Sequence, residues 1–541
     1  MKLLLILLLI INSVSAQNEK LKSLISKENV IKNIYTLGSD EFEGRGTGEI
    51  GGEKAARFLA NEFKQLNLIP LGEDSSYFQP IRMHGGKPLS TSRLVLYSGM
   101  EQKEFKLWDD YLIYFSGEQT FIPAPIELVF VGYGIIAPEY DYNDYQSVNV
   151  EGKIVVFLDG EPQSKDESYF NGIKPTLYSY PEVKQRVALS RGARGSIIIP
   201  DIYHGSVDWE KLKRDFSFED VSLASSVTNN LAILFNPSSI QALFSNSNFS
   251  LFDIYNLQSK GVMQSFQMNC GISFKGEFRE RDFTSSNIVG MVKGSDSEMK
   301  DSYLIISAHY DHLGIGIPVG GDSIYNGVFD NASGVAALLE LARIFSEDLK
   351  PERSIIFLLL TGEEKGLLGS IYYTNNPVKP LYKTIANINI DGIALFDKFK
   401  SIIGIGAEYS SLNNFLIDVA NSDNVTITQI PEEFNNVDAF SKSDQVAFAN
   451  AGIPSILIME SPDYINLSKE EGLNMFINYS ENIYHTPYDD LNQKMNFDAA
   501  IQHISILLDL SNQLVQSKET PKWNNDSPFI DARLHSIAEK K

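Results

Sequence analysis

The chain has 541 residues, with 46 Lys and Arg against 69 Asp and Glu, a formal net charge of -23. That balance weighs against a nucleic-acid partner, which needs a basic patch to meet phosphate, and fits an acidic surface that keeps an exported protein in solution. With 43% hydrophobic and 21% charged residues the composition excludes wholesale disorder, and the length exceeds the roughly 100 to 200 residues of an ordinary single core, so two or more packed units are expected.

In chain order, Lys2, the short apolar run from Leu3 to Ile11 and the small residues Val14, Ser15 and Ala16 read as a cleaved export signal over 1–16. The mature chain is expected to begin near Gln17 and to reach the periplasm or the extracellular space. No later stretch is long and apolar enough for a transmembrane helix, so no stable membrane insertion is expected. Cys270 is the only cysteine, so no internal disulfide can form; in the alternating stretch SFQMNCGISF it reads as a small buried apolar residue.

Residues 18–67 predict two helices around the glycine-rich break EGRGTGEIGG. From 122 to 261 the pattern becomes short β-like runs such as IELVFVGYGI, KIVVFLDG and GSIIIP, with one helical segment around VKQRVALSRGA. This block reads as an inserted β-rich domain, leaving 17–121 and 262–516 as one discontinuous domain. From about Ser286 the strands NIVGMVKG, YLIISAH, SIIFLLLTG, TIANINID and PSILIME alternate with helices. That alternation predicts an α/β fold with a central, mostly parallel mixed sheet flanked by helices. The stretch 517–541 is polar and without periodicity and is expected to be a surface tail.

Chemistry enters where acidic and histidine residues fall on those strands. His309 and Asp311 follow YLIISA, Glu363 and Glu364 follow SIIFLLLTG, and Asp391 ends TIANINI. Carboxyl ends of strands are where open α/β sheets place their sites. Asp330 and Asn331 precede the helix SGVAALLELARIF, and Tyr484 and His485 lie in the loop ENIYHTPYDD. Any one of these is ordinary surface chemistry; their joint placement is not. Imidazole nitrogens and carboxylate oxygens are zinc ligands. A bridging carboxylate lets two ions sit roughly 3.5 to 4 Å apart. Side chains diverge at a strand end, so one of Glu363 and Glu364 can bind metal while the other serves as base. Asp311 is placed to hold the His309 imidazole in one tautomer, whereas the spacing of His312 assigns it a structural role.

The motifs HYDHLG at 309–314, DNASG at 330–334, GEEKGLLGS at 362–370, NID at 389–391 and YHTPYDD at 484–490 resemble those of the co-catalytic dinuclear zinc aminopeptidases, whose family also includes glutamate carboxypeptidase, glutaminyl cyclase and the transferrin receptor. Their order and spacing match, and DEFEGRGTGEIGGEKAARFL and SDQVAFANAGIPS add to the likeness. The resemblance implies two Zn2+ ions per chain. It places His309, Asp330 and Asp391 on one ion and Asp330, Glu364 and His485 on the other. It further implies Glu363 as general base, Asp311 as orienting carboxylate and Tyr484 as donor to the oxyanion. The stretch VGYGIIAPEYDYNDYQSVNVEGKIVVFLDG resembles the protease-associated domain that some members carry. Phe329 stands where many relatives have an aspartate, and Gly392 where a bulkier residue is common.

The expected function is an exported aminopeptidase acting on peptide substrates. A carboxypeptidase or glutaminyl cyclase on the same fold and a non-catalytic receptor-like binding protein are the alternatives. A carboxypeptidase should present an arginine to the substrate carboxylate, and the sequence assigns neither Arg45 nor any other arginine to that task.

Overall fold

The strand Ser354–Leu360 is buried at every position, and its side chains alternate between two cores. Ile355, Phe357 and Leu359 face one apolar cluster, whereas Ile356 and Leu358 face another. A strand apolar on both sides belongs in the middle of a sheet covered by helices on both faces. The computed structural model, which describes residues 19–113, 121–172, 175–200, 207–226, 230–434 and 438–540, puts it there. The sheet runs Phe278–Val292, Ser354–Leu360, Tyr303–His309, Thr384–Asn389, Ser455–Glu460, Ser401–Ile405 and Thr426–Ile427. Ser354–Leu360 pairs in parallel with Tyr303–His309, which pairs in parallel with Thr384–Asn389, which does the same with Ser455–Glu460. Phe278–Val292 and Ser401–Ile405 join antiparallel to that central group. The fold is therefore the mixed, centrally parallel α/β architecture expected.

Helices Lys27–Leu37, Ile50–Gln65, Ser333–Arg343 and Phe497–Gln516 bury their apolar stripes in the larger cluster. The two predicted amino-terminal helices thus form, separated by a short 3-10 turn over Asp40–Arg45. Among the described residues no helix is long and apolar enough to cross a membrane. The export signal expected at 1–16 lies outside them.

The chain divides into two compact units, one of 1–81, 284–431 and 439–541, the other of 82–283 and 432–438. The second holds an eight-stranded sheet whose central strands Phe121–Phe130, Ile154–Leu158, Gly195–Ile199 and Leu231–Phe235 are parallel. Its bounds are wider than the 122–261 read from the sequence. The reason lies in the pairing: Phe266–Lys275 hydrogen-bonds both to Phe121–Phe130 and to Arg93–Ser98, which draws residues from both flanks into this sheet. Cys270, on that strand, is buried and its thiol is pushed up to about 12 by burial, an inert packing group.

The carboxyl-terminal stretch also differs from the expected tail. Ile530–Ala538 is helical, and the Trp523 indole N–H donates to the Gly452 carbonyl at 3.0 Å. Phe440, Phe529 and Trp523 pack together.

Candidate metal centre

Parallel register brings the three chemistry-bearing strand ends level. His309 lies beside Leu360 on the neighbouring strand, and Ser307 pairs with Asn389, two residues before Asp391. Glu363 and Glu364 then leave the sheet three and four residues beyond Leu360 at the same edge. Buried polar groups lock this alignment: Ser307 donates to Asn389 at 2.8 Å and accepts from Asn387 at 2.9 Å.

Around that edge the donors form two groups that share Asp330. His309 Nε2 lies 3.3 Å from Asp330 Oδ1 and 3.0 Å from Asp391 Oδ1. His485 Nε2 lies 3.3 Å from Asp330 Oδ2 and 3.2 Å from Glu364 Oε2. Ligands about 2.0 to 2.1 Å from a tetrahedral zinc are about 3.3 Å apart along the edges of the tetrahedron. The spacing would accommodate zinc. His485 Nε2, although flanked by two carboxylates, makes no aligned hydrogen bond among the described residues, as expected of a nitrogen aimed between them. Its backbone has φ 56°, a left-handed conformation seldom taken by residues other than glycine and common at functional sites. Donor atoms of His309, Glu363 and Asp391 also lie within 4.8 Å of one another, as do those of His309, Asp330 and Glu364. Distance alone therefore leaves both glutamates near enough to bind a cation.

Hydrogen bonding separates them. Glu364 Oε1 sits 2.6 Å from His312 Nδ1, which holds that carboxylate with Oε2 toward His485. His312, assigned a structural role from its spacing, is therefore fully buried beside a candidate ligand, and its own Nδ1 is 3.8 Å from Asp330. Asp311 is also fully buried, but its contacts differ from expectation. The acceptor nearest His309 Nδ1 is the Asp311 carbonyl oxygen at 3.1 Å, whereas the carboxylate Oδ1 is 4.0 Å away. The carboxylate accepts instead from the Thr47 hydroxyl at 2.7 Å and the Glu363 N–H at 3.2 Å, so the residue orients both the imidazole and the Glu363 backbone.

Two further groups brace Asp330. Asn331 donates to the carbonyls of His309 and Ile390 and accepts from the N–H groups of Gly334 and Gly392. All four hydrogen-bonding positions of its amide are thereby filled, tying two strand ends to the start of the helix Ser333–Arg343. Asp489 accepts from the N–H groups of Phe329 and Asp330 at 2.9 and 3.1 Å. Phe329 itself packs its ring against those of Phe396 and Tyr479. Tyr484 is 39% exposed and its ring lies 3.8 Å from that of His485, with burial and the surrounding carboxylates of Asp330, Glu364, Glu363 and Asp391 pushing its hydroxyl well above the usual phenol range.

Charge follows this layout. Burial opposes the charged form of His309, but Glu363, Asp391 and Asp330 around it hold its pKa well above the usual imidazole range. His485 is likewise held up to about 10, burial being outweighed by Glu364 and Asp330. Burial pushes Glu364 up, but His485 and His312 prevail and bring it down to about 2. Glu363 goes the other way: burial, with Asp391, Glu364 and Asp444 adding like charge against His309, raises it well above the carboxylate range. Asp444, from the SDQ motif, is fully buried near the same cluster and is pushed up to about 7 by burial. The two adjacent glutamates thus sit in opposite environments, one stabilised as an anion by two imidazoles, the other poised to hold a proton.

Residues 287–511 match the profile of Peptidase family M28. A probable zinc metalloprotease of Pyrenophora tritici-repentis is 35% identical over 136 residues, 25% of this chain and 30% of the relative. A vacuolar membrane protease of Candida dubliniensis is 26% identical over 237 residues, 44% of this chain and 22% of the relative. The chain spans less than a third of the length of either curated relative. Among solved structures, the aminopeptidase from Aneurinibacillus sp. strain AM-1 superposes with a TM-score of 0.57 at 21% identity, over 92% of this chain and 95% of that one, a likeness of fold. By the profile match, the segment 287–511, which contains every residue expected at the centre, is a Peptidase family M28 domain.

Proposed function

We propose that this chain is an exported zinc-dependent aminopeptidase that binds two zinc ions bridged by Asp330. The observation that carries the reading is the pair of donor groups, His309 with Asp391 and His485 with Glu364, whose imidazoles each lie 3.3 Å from a different oxygen of the one buried carboxylate Asp330. Bound there, zinc would supply Lewis acidity toward the scissile carbonyl and a lowered pKa for the attacking water.

The chain's own groups do the rest. Glu363, whose carboxylate lies beside His309 and Asp391, takes the proton of the attacking water at a carboxylate oxygen. It then delivers that proton to the nitrogen of the departing amine. Asp311 fixes its position by accepting from the Glu363 N–H and fixes the His309 tautomer through its carbonyl oxygen. Tyr484, partly exposed over His485, donates its hydroxyl proton to the oxygen on which negative charge develops.

Release from the amino end is favoured over the carboxyl end by the way Arg45 is engaged. Arg45 is fully buried and spends four N–H groups on backbone carbonyls, which leaves it unsuited to clamp a substrate carboxylate. The block 122–261 is read as the protease-associated domain its sequence resembles.

The test is hydrolysis of aminoacyl anilides, carboxyl-terminal dipeptides and glutaminyl substrates by the purified mature chain, with and without chelator, beside metal analysis. The reading requires two zinc equivalents per chain, activity on the aminoacyl compounds, and its loss on chelation. A metal-free protein with full activity contradicts it.

A further inference from the structure

The buried guanidinium of Arg45 has no carboxylate within ion-pair distance among the described residues. Its Nε donates to the Tyr310 carbonyl at 2.8 Å. Nη1 donates to the carbonyls of Leu37 and Asn326 at 2.7 and 2.6 Å, and Nη2 to that of Gly327 at 2.7 Å. Tyr310 lies between His309 and Asp311, and Gly327 lies three residues before Asp330. One planar fork therefore spans the two segments that carry opposite sides of the donor set. Asp330, Asp489, Asp311 and Glu364 lie close enough to favour its charge, and burial, the largest influence, lowers its pKa only to about 10. It remains a cation at neutral pH.

The residues around Arg45 fasten the same two segments. Glu43, Gly44 and Arg45 take φ of 50°, 66° and 52°, a left-handed reversal that turns the Arg45 side chain inward. A Cβ on Gly44 would lie 2.3 Å from the Tyr325 carbonyl oxygen and 2.7 Å from that of Gly314, so the backbone is pressed against the segment between the ligands. The His312 N–H donates to the Arg45 carbonyl at 3.3 Å. Thr47 reaches Asp311 at 2.7 Å, and Asn326 donates to Asp40 at 3.0 Å.

We infer that the segment 44–47 is a brace for the metal centre, with Arg45 and Thr47 as positioning residues that hold the His309–His312 segment and the Asp330 segment at the separation two shared ions require. The inference rests on the zinc reading above. Its physical basis is the shape of the donor: five N–H groups in a rigid plane can meet four carbonyls on three segments, those of Leu37, of Tyr310 and of Asn326 with Gly327, whereas a lysine ammonium offers three donors from one point. Groups that orient metal ligands typically govern affinity by about 10- to 100-fold.

Arg45→Lys keeps the charge and removes the fork; Thr47→Val keeps the shape and removes the hydroxyl. Both are made in the full mature chain. Three quantities are read: zinc affinity by competition with a chromophoric chelator, melting temperature in chelator and in saturating zinc, and the visible spectrum of the cobalt-substituted protein. The brace requires zinc affinity at least about tenfold weaker in Arg45→Lys, a smaller zinc-induced rise in melting temperature than in the parent, and a changed cobalt spectrum. A residue that served the fold alone would lower both melting temperatures equally and leave affinity and spectrum as they were, and that result overturns the inference. If Arg45→Lys does not fold, Thr47→Val decides: weaker zinc binding with an altered spectrum supports the brace, and parent-like values refute it. A parent chain that binds no zinc would instead refute the metal reading itself.

Discussion

His503, far from the strand ends that carry the donors, should give the protein a distinctive acid weakness. It lies 1% exposed on the helix Phe497–Gln516. Its Nδ1 accepts from the Ala394 N–H at 3.0 Å, and its Nε2 lies 3.2 Å from the Ile458 carbonyl oxygen. One nitrogen faces a donor and the other an acceptor, so the ring is built in as the neutral Nε2–H tautomer and a second proton would point at an N–H group. Burial accordingly pushes its pKa down from 6.5 to about 4, with only partial relief from the Ile458 carbonyl. The unfolded chain takes up this proton near pH 6.5 and the folded chain only near pH 4, so stability is lost as pH falls through that window. At about 1.4 kcal/mol for each tenfold change in proton affinity, the fall from 6.5 to about 4 amounts to about 3 kcal/mol. His503→Gln removes the titration and keeps one donor and one acceptor. Urea unfolding of parent and variant, both in chelator, should show the variant gaining about 3 kcal/mol relative to the parent between pH 7 and pH 4. Groups with the opposite sign, such as Glu460, whose pKa burial raises to about 7, are present in both and cancel. A difference that stays constant with pH would refute the reasoning.

Ile356 is fully buried between Met291 and Ile305 on adjoining strands, and Ile356→Ala should lower unfolding free energy by about 2 to 5 kcal/mol in chelator; a loss under 1 kcal/mol would mean that the core there is loosely packed. Gly334→Ala would ordinarily favour a helix by about 0.5 to 1 kcal/mol. Here the added Cβ would lie 2.1 Å from Asn331 Oδ1 and 2.9 Å from the Ile390 carbonyl oxygen. It should therefore destabilise by about 1 to 3 kcal/mol and weaken zinc retention on dialysis; a more stable variant would show that the Asn331 clamp is dispensable.

How much of this was legible in the amino acids depends on the range of the contact. The runs YLIISAH and SIIFLLLTG announce buried central strands, and a polar residue at the end of each is a local signal. His309, Glu363, Glu364 and Asp391 could thus be assigned to one sheet edge from pattern alone. Joining Asp330 and His485 to them took the motif likeness, because nothing local says that a loop near 485 folds back to Asp330. The braces were missed for the same reason. Asp489 looks like one acid among several in TPYDD until its oxygens are seen on the Phe329 and Asp330 N–H groups. Arg45 looks like a surface residue in a glycine-rich turn, though it is wholly buried. The partner of His312 was not legible, because the segment has already left its strand at His309 and only the fold brings Glu364 to its Nδ1. The inserted unit was drawn too short because pairing of Arg93–Ser98 with Phe266–Lys275 spans the whole insertion, a long-range contact with no local mark.

The division of labour between Glu363 and Glu364 is the centre of the account, and zinc content measured beside turnover in Glu363→Gln and Glu364→Ala tests it most directly. Glu363→Gln should keep both zinc equivalents and lose about 10² to 10⁴ in turnover, the usual contribution of a general base. Glu364→Ala should retain one equivalent after dialysis and recover part of its activity in excess zinc. Loss of zinc from the Glu363 variant with both ions kept by the Glu364 variant would reverse base and ligand, and unchanged turnover in both would place the active site elsewhere.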